Sequence, residues 1–360
     1  MSLSNFVKRS QNLSLTNLFF ISFLLVLTSL FAGQALGAPQ TQGPVKILFI
    51  DGGDAQVKDP GAAEWHPAAK GGKVEKGAEV IANPYGKKMS TEQCYEFYSK
   101  NIDGVIAGTE DISSEVLKRS PSLKVISRCG IGLDNVDLET AKKRNISVFK
   151  TSSAVADAVA ELSLGLMLDA LRSISMTDRL LRKGDWQKPM GFLLKGKTIG
   201  IIGLGAVGKR LVELCAAFDC QFLATDTVRD EVFAKRFRLR YTKLDELLKT
   251  ADIISIHLPF NPETNHLITH EKLKLMKKTG ILINTARGNI VDEEALYKAL
   301  KERNIAGAAL DVFAEEPYTG ELRELDNIIL TSHIGSYARE SRIAMELEAV
   351  DNLIKGLKLT

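Results

Sequence analysis

The chain is poor in cysteine, in charge imbalance and in internal repetition, and each shortage closes off a class of protein. Four cysteines in 360 residues, Cys94, Cys129, Cys215 and Cys220, form no CxxC pair and are too sparse for a disulfide framework. A disulfide scaffold and a zinc module are excluded, and no metal is expected. Lys and Arg number 47 against 44 Asp and Glu, a net charge of +3 with no long block of one sign, so no nucleic-acid partner is expected. Neither a fixed-period repeat nor a low-complexity tract is present. What is there is a chain 45% hydrophobic, able to bury large cores in two to three domains at about 100–200 residues per domain.

The first 45 residues differ from the rest. Lys8 and Arg9 precede a stretch without charge until Lys46, and twelve of the fifteen residues from Leu18 to Ala32 are apolar. This reads as an export signal over residues 1–37 with a cleavage site at Ala35-Leu36-Gly37-Ala38, since a spanning anchor usually needs about 20 predominantly apolar residues. An uncleaved anchor, with membrane contact through residues 18–32 only, and an untidy extension on a cytoplasmic enzyme remain the alternatives. Without residues 1–37 the chain carries a net charge of +1.

From Val45 onward, short apolar or β-branched runs alternate with helix-like segments, the pattern of βαβ units and a parallel sheet. Strands are expected at 45–50, 79–82, 104–107, 124–127 and 146–149. Ser90-Thr91-Glu92-Gln93 reads as a capping box opening a helix through Lys100, and Leu138–Arg144 as another helix. Residues 52–76 read as a long loop. A helix from Ala154 to about Leu181 begins too apolar to be one-sided, and is expected to lie between domains or at a dimer interface. A second series of strands follows at 198–202, 222–225, 253–256, 280–284, 308–312 and 328–330, with a last helix at 337–357. Lys235–Arg240, alternating basic and apolar, reads as a solvated strand face.

Thr198–Ile202 runs directly into Gly203-Leu204-Gly205-Ala206-Val207-Gly208 and then a helical pattern. In such a strand, GxGxxG and helix, the first glycine permits a tight turn, the second lets backbone approach a pyrophosphate, and the third lets helix pack on strand. Amides at the helix start, including those of Ala206 and Val207, supply the phosphate donors. Asp226 lies 18 residues beyond Gly208, where a carboxylate can bond ribose hydroxyls and repel a 2′-phosphate. NAD is the expected cofactor.

Ligands sit at the carboxyl ends of strands in doubly wound sheets, so polar residues just past each strand are candidates. Asn284-Thr285-Ala286-Arg287-Gly288 follows one strand, Asp311 ends the next with Glu315-Glu316-Pro317 beyond it, and Ser332-His333 follows the last. An Arg for a carboxylate, a His for a hydroxyl proton and an acid to tune the His suit a 2-hydroxy acid. His66, His266 and His270 read as loop or helix-face histidines. His257 reads as structural near the cofactor, and Cys129 as a small buried apolar residue.

The segments SRCGIGLDNVDL (127–138), GIIGLGAVGKR (200–210), HLPFNPET (257–264), INTARGNIVDEEAL (283–296), AGAALDVFAEEP (306–317) and LTSHIG (330–335) resemble those of the D-isomer-specific 2-hydroxyacid dehydrogenases. Within that family the motifs are most similar to the D-3-phosphoglycerate dehydrogenases, in a short form without their regulatory domain. The resemblance implies a catalytic trio of Arg287, Glu316 and His333, places Asp311 at the nicotinamide carboxamide, and makes Gly130, Ile131 and Gly132 backbone donors to the substrate carboxylate. Arg128, just before that loop, is expected to meet a phosphate. It also implies an α/β architecture of two doubly wound parallel-sheet domains. A Rossmann coenzyme domain (150–337) is inserted into a flavodoxin-like substrate domain (45–149 plus 338–360), with the active site in a cleft that closes by a hinge, in a homodimer built around the helix after Ala154. The implied reaction moves a hydride between NAD and a D-2-hydroxy acid, 3-phosphoglycerate first, with a glyoxylate or hydroxypyruvate reductase as the alternative and an NAD-sensing binding protein as the alternative of another class. One departure from the family pattern is Thr151-Ser152-Ser153, where many members carry a Pro-Gly turn.

Overall fold

Parallel strands covered on both faces must be apolar nearly throughout, and the short runs read above satisfy that in two separate sheets. The computed structural model describes residues 45–49, 73–74, 78–83, 85, 88–151 and 153–358. The expected export or anchor segment at 1–37, most of the 52–76 loop and His66 lie outside the described residues. No described helix is long and apolar enough to cross a membrane. The chain divides into two compact units, one of residues up to Ala154 together with Arg339 onward, the other Val155–Ala338.

The first unit holds β1 (Val45–Phe49), β2 (Lys73–Val74), β3 (Ala78–Ala82), β4 (Gly104–Ala107), β5 (Val125–Arg128) and β6 (Ser147–Lys150) in the order β2-β3-β1-β4-β5-β6. All pairs are parallel except β2 with β3. The five parallel strands follow the flavodoxin-like order. The antiparallel β2, at the end of the expected loop, is too short to carry a sequence signal. Helix α1 (Thr91–Tyr98) starts at Ser90, whose hydroxyl accepts from Gln93 N while Gln93 Oε1 accepts from Ser90 N, the expected capping box. It packs with α2 (Ser114–Lys118) and α3 (Leu138–Lys143) over a core of Tyr98, Val105, Leu117 and Ile126. The C-terminal helix (Arg339–Leu357) covers the other face of the sheet, where Ser127 Oγ donates to Ala349 O at 2.7 Å and a Cβ on Gly104 would lie 2.7 Å from Leu353 Cδ1.

The second unit carries β7 (Thr198–Ile202), β8 (Gln221–Thr225), β9 (Arg240–Tyr241), β10 (Ile253–Ile256), β11 (Ile281–Asn284), β12 (Gly307–Leu310) and β13 (Ile328–Leu330), all parallel, in the order β13-β12-β11-β10-β7-β8-β9. The order reverses beside β7, the first strand of the series, which is the switch point where such sheets bind ligands. Alternate residues face opposite cores, as a two-residue period demands. Ile199, Ile201, Ile253 and Ile283 point to one core, and Ile202, Ile254, Leu282 and Leu310 to the other.

Two expectations fail here for local reasons. The helix expected from Ala154 to Leu181 is two helices, α4 (Ser153–Arg172) and α5 (Ile174–Arg182), because Ser173 adopts a left-handed conformation at φ 54°. The strand expected over Lys235–Arg240 is mostly helix: α7 (Glu231–Phe237) is capped by Asp230, which accepts from Phe233 N, and only Arg240 joins β9. The remaining helices of this unit are α6 (Ala206–Ala216), α8 (Leu244–Thr250), α9 (His270–Leu275) and α10 (Glu293–Lys301).

Candidate active site

The glycine turn after β7 shows why each glycine is needed. Gly203 sits at φ +93°, and a Cβ there would lie 2.6 Å from His257 O. At Gly208 a Cβ would lie 2.3 Å from Gly203 O, so α6 can approach the turn only without a side chain. Gly205 is different. A Cβ on it would meet no protein atom within 4 Å, yet it is the N-cap of α6 and offers no side-chain cap to the amides of the first turn. Open space beside uncapped amides is what a pyrophosphate fills. Asp226 Oδ2 accepts from Leu204 N at 2.6 Å and Oδ1 from Val228 N at 2.9 Å, which fixes the carboxylate between the glycine turn and the turn after β8. These residues fit an NAD with its diphosphate on Gly205, Ala206 and Val207 and its adenosine ribose toward Asp226. His257, behind the turn, bonds Ser255 Oγ at 2.9 Å, and burial pushes its imidazole down to about 4, so it is a neutral structural residue.

At the end of β11, the fully buried Asn284 braces the next turn: its Oδ1 accepts from Ala286 N at 3.0 Å and its Nδ2 donates to Arg287 O at 2.9 Å. Thr285 bonds Ser163 of α4 at 2.9 Å, so the buried face of α4 supports the turn that carries Arg287. Arg287 is partly exposed and lends its positive charge to Glu316.

His333 and Glu316 form a dyad with Nδ1 to Oε2 at 2.8 Å, their side chains 42% and 37% exposed. Glu316 Oε1 accepts from Phe313 N at 3.0 Å. Burial pushes the Glu316 carboxyl up, but the His333 bond and charge, the Phe313 amide and Arg287 outweigh it and hold it below the usual carboxylate range. His333 itself sits at φ 54°, a costly conformation for a residue with a Cβ.

Asp311 accounts for that conformation. Fully buried, it accepts at Oδ1 from Thr331 Oγ1 (2.6 Å) and Ile334 N (2.9 Å), at Oδ2 from Gly335 N (2.8 Å), and at its backbone oxygen from His333 N (2.8 Å). Its carboxylate therefore clamps the loop that carries His333, a task additional to the carboxamide contact that the resemblance implies. Sequence reasoning missed this clamp, for which the only signal is an acid two residues past a strand centre.

In the first unit, Arg128 is buried at 8% exposure. Nη1 donates to Cys129 O and Nε to Asn135 Oδ1 at 3.3 Å. A Cβ on Gly130, at φ +151°, would lie 2.5 Å from that guanidinium. The arginine expected to meet a phosphate is thus folded under its own loop. Gly130 N donates to Thr151 Oγ1 at 2.8 Å, which gives the departure from Pro-Gly a purpose: a buried hydroxyl braces the loop. The amides of Ile131 and Gly132 donate to no acceptor among the described residues, whereas that of Gly130 is engaged. Cys129 is buried, as expected.

Comparison with known proteins adds four findings. Residues 164–335 match the family described as D-isomer specific 2-hydroxyacid dehydrogenase, NAD binding domain. The chain is 46% identical over 259 residues to a glyoxylate reductase of Thermofilum pendens, covering 69% of this chain and 76% of that one. It is 40% identical over 258 residues to a D-3-phosphoglycerate dehydrogenase of Methanocaldococcus jannaschii, covering 71% of this chain but 49% of that one. Among solved structures, a glyoxylate reductase from Paecilomyes thermophila superposes with a TM-score of 0.75 at 26% identity, covering 88% of this chain and 96% of that one.

Proposed function

Because the chain belongs to the D-isomer-specific 2-hydroxyacid dehydrogenases and is an NAD-dependent oxidoreductase of that family, we propose that it reduces small unphosphorylated 2-oxo acids, glyoxylate and hydroxypyruvate before 3-phosphohydroxypyruvate. The expectation of 3-phosphoglycerate as first substrate gives way to its alternative. Supporting this are the 46% identity to a glyoxylate reductase and the burial of Arg128, which takes from the loop its expected phosphate ligand.

The reaction itself rests on one observation, the 2.8 Å His333–Glu316 dyad beside Arg287. Bound NADH supplies the hydride to C2. His333 gives its proton to the 2-oxo oxygen as the hydride arrives, and takes it back in the oxidative direction. Glu316 keeps the imidazole oriented through its bond to Nδ1. Arg287 holds the substrate carboxylate and polarises the oxygen as a planar fork. Asp226 selects NAD over its 2′-phosphate form. The test is NADH oxidation by the purified chain with glyoxylate, read as stoichiometric glycolate. Absence of turnover across glyoxylate, hydroxypyruvate and pyruvate overturns the reading.

The partner that fits this chain is a second copy of itself. Helix α5 buries none of its residues, and Ile174, Leu181, Trp186, Met190, Phe192 and Leu193 are all exposed on it and the segment after it, an apolar surface of the kind that marks an interface. Sedimentation equilibrium reads a dimer in the wild type, and a monomer at micromolar concentration overturns this. The export or anchor reading of residues 1–37 is tested by fractionation of native cells, where soluble full-length protein retaining Met1 contradicts it.

A further inference from the structure

The turn that carries Glu316 is held from three sides. Within it, Phe313 N donates to Glu316 Oε1 at 3.0 Å. From α10, Glu293 Oε1 accepts from Ala314 N at 2.7 Å. From the Arg287 turn, Gly288 presses on the same peptide so closely that a Cβ there would lie 1.9 Å from Phe313 C and 2.3 Å from Ala314 N. One peptide plane thus joins the segment bearing Arg287, the start of α10 and the turn bearing Glu316.

Glu293 is not required to cap α10, since Asp292 does so by accepting from Ala295 N at 2.9 Å. A carboxylate at a helix start is favoured by the dipole, which would explain Glu293 on an open surface. Here, though, it stands half-buried among other charges. Glu315 and Glu316 of the turn repel it, and His266 attracts it. Tyr318 just beyond the turn feels it as well, while Glu316 in turn meets His333 and Arg287. Burial pushes the Glu293 carboxyl up, the Ala314 amide draws it down, and the two neighbouring carboxylates add to the rise. What the carboxylate gains in that place is the Ala314 amide, from which it accepts at 2.7 Å.

We propose that Glu293 is a positioning residue of the catalytic centre, holding the Ala314 amide so that the 313–316 turn presents Glu316 to His333. It acts on the reaction only through Glu316, and the kinetic part of this inference rests on the reductase reading above.

The experiment compares Glu293→Ala, Glu293→Asp and Glu293→Gln in the full chain, alone and in a Glu316→Gln background. The alanine removes the acceptor, the aspartate withdraws it by one methylene, and the glutamine keeps a carbonyl acceptor without the charge. Alanine and aspartate variants are expected to lower kcat at least about tenfold with NADH affinity unchanged, while glutamine stays within about threefold of wild type, because misplacement of catalytic groups by about 1 Å can cost on the order of 10²-fold. In the Glu316→Gln background, Glu293→Ala should change kcat less than about twofold, since contacts acting through one another are not additive. Retention of more than half the wild-type kcat in both the alanine and aspartate variants, or losses that multiply with Glu316→Gln, overturns the proposal. A second readout needs no turnover: amide hydrogen exchange at Ala314 is expected to quicken at least tenfold in the alanine variant and to stay protected in the glutamine variant. Unchanged protection in the alanine variant overturns the proposal even if no 2-oxo acid is reduced, whereas an inactive wild type with the expected exchange pattern refutes the reductase reading alone.

Discussion

Arg128 and Arg287 occupy equivalent places, each at the carboxyl end of a strand in a parallel doubly wound sheet, and each donates from Nη1 to a neighbouring carbonyl. Their surroundings then separate them. Arg128 is sealed at 8% exposure with Nε on Asn135, and Glu110, whose carboxyl feels its charge, is itself fully buried. Arg287 stays partly exposed on a turn braced by Asn284, beside a dyad open to solvent. The same contrast holds for the acids. Asp311 uses both oxygens on the His333 loop, whereas Glu110 has Tyr98 on Oε1 and, among the described residues, no hydrogen-bond partner on Oε2. Topology supplies strand ends in both units, but only where every polar group at those ends is partnered does the geometry become fixed enough for proton transfer.

Substitutions in the second unit should therefore cost rate, and those in the first should cost stability. The largest effect is expected for His333→Ala, which should lower kcat by about 10²–10⁴-fold while NADH binding measured by fluorescence persists. Near-normal turnover would remove His333 from the mechanism. Asp311→Asn comes next. An amide cannot accept from both the 334 and 335 amides as the carboxylate does, so kcat should fall on the order of 10²-fold with NADH affinity changed less than about threefold. A loss mainly in NADH affinity would instead put Asp311 at the nicotinamide carboxamide.

On the other side of the comparison, Glu110→Gln should leave kcat within about threefold and change the pH dependence of unfolding. Burial pushes the Glu110 carboxyl from an ordinary 4.5 up to about 7. Between those values the folded chain keeps a proton that the unfolded chain has released, so wild-type stability falls as pH rises from about 4.5 to about 7 and is level above. Glutamine removes that decline, of about 3 kcal/mol over the window, and thermal unfolding at pH 5 and pH 8 reads it. An unchanged slope in the variant would mean that Glu110 is ionised in the fold.

Much of this frame is legible in the chain before any coordinates. Strands buried on both faces announce themselves as short β-branched runs, and TIGII followed by GLGAVG names the switch point directly. Bonds between distant segments are not legible. Nothing near Ser173 signals a break; the bond that spans it, from Ser175 N to Asp169 Oδ1 at 2.8 Å, follows no pattern in the sequence. The basic-apolar alternation at 235–240 follows strand periodicity, yet the Asp230 cap outweighs it. Arg287, Glu316 and His333 follow from family motifs. The residues that hold them (Asn284, Asp311 and Glu293) do so through backbone amides, which leave no mark in sequence. The fate of Arg128 depends on Gly130, Asn135 and Thr151 together, so its position beside the carboxylate loop misleads.

That arginine also gives the most direct test of the central claim. The measurement is kcat/KM with NADH for glyoxylate, hydroxypyruvate and 3-phosphohydroxypyruvate, before and after Arg128→Ala. With Arg128 a brace for its own loop, the unphosphorylated acids are preferred in the wild type, and the substitution leaves the ratios among the three values unchanged. A wild-type preference for the phosphorylated acid, lost selectively in the variant by the roughly 10- to 150-fold that a charged contact contributes, would contradict the account and restore a phosphate site.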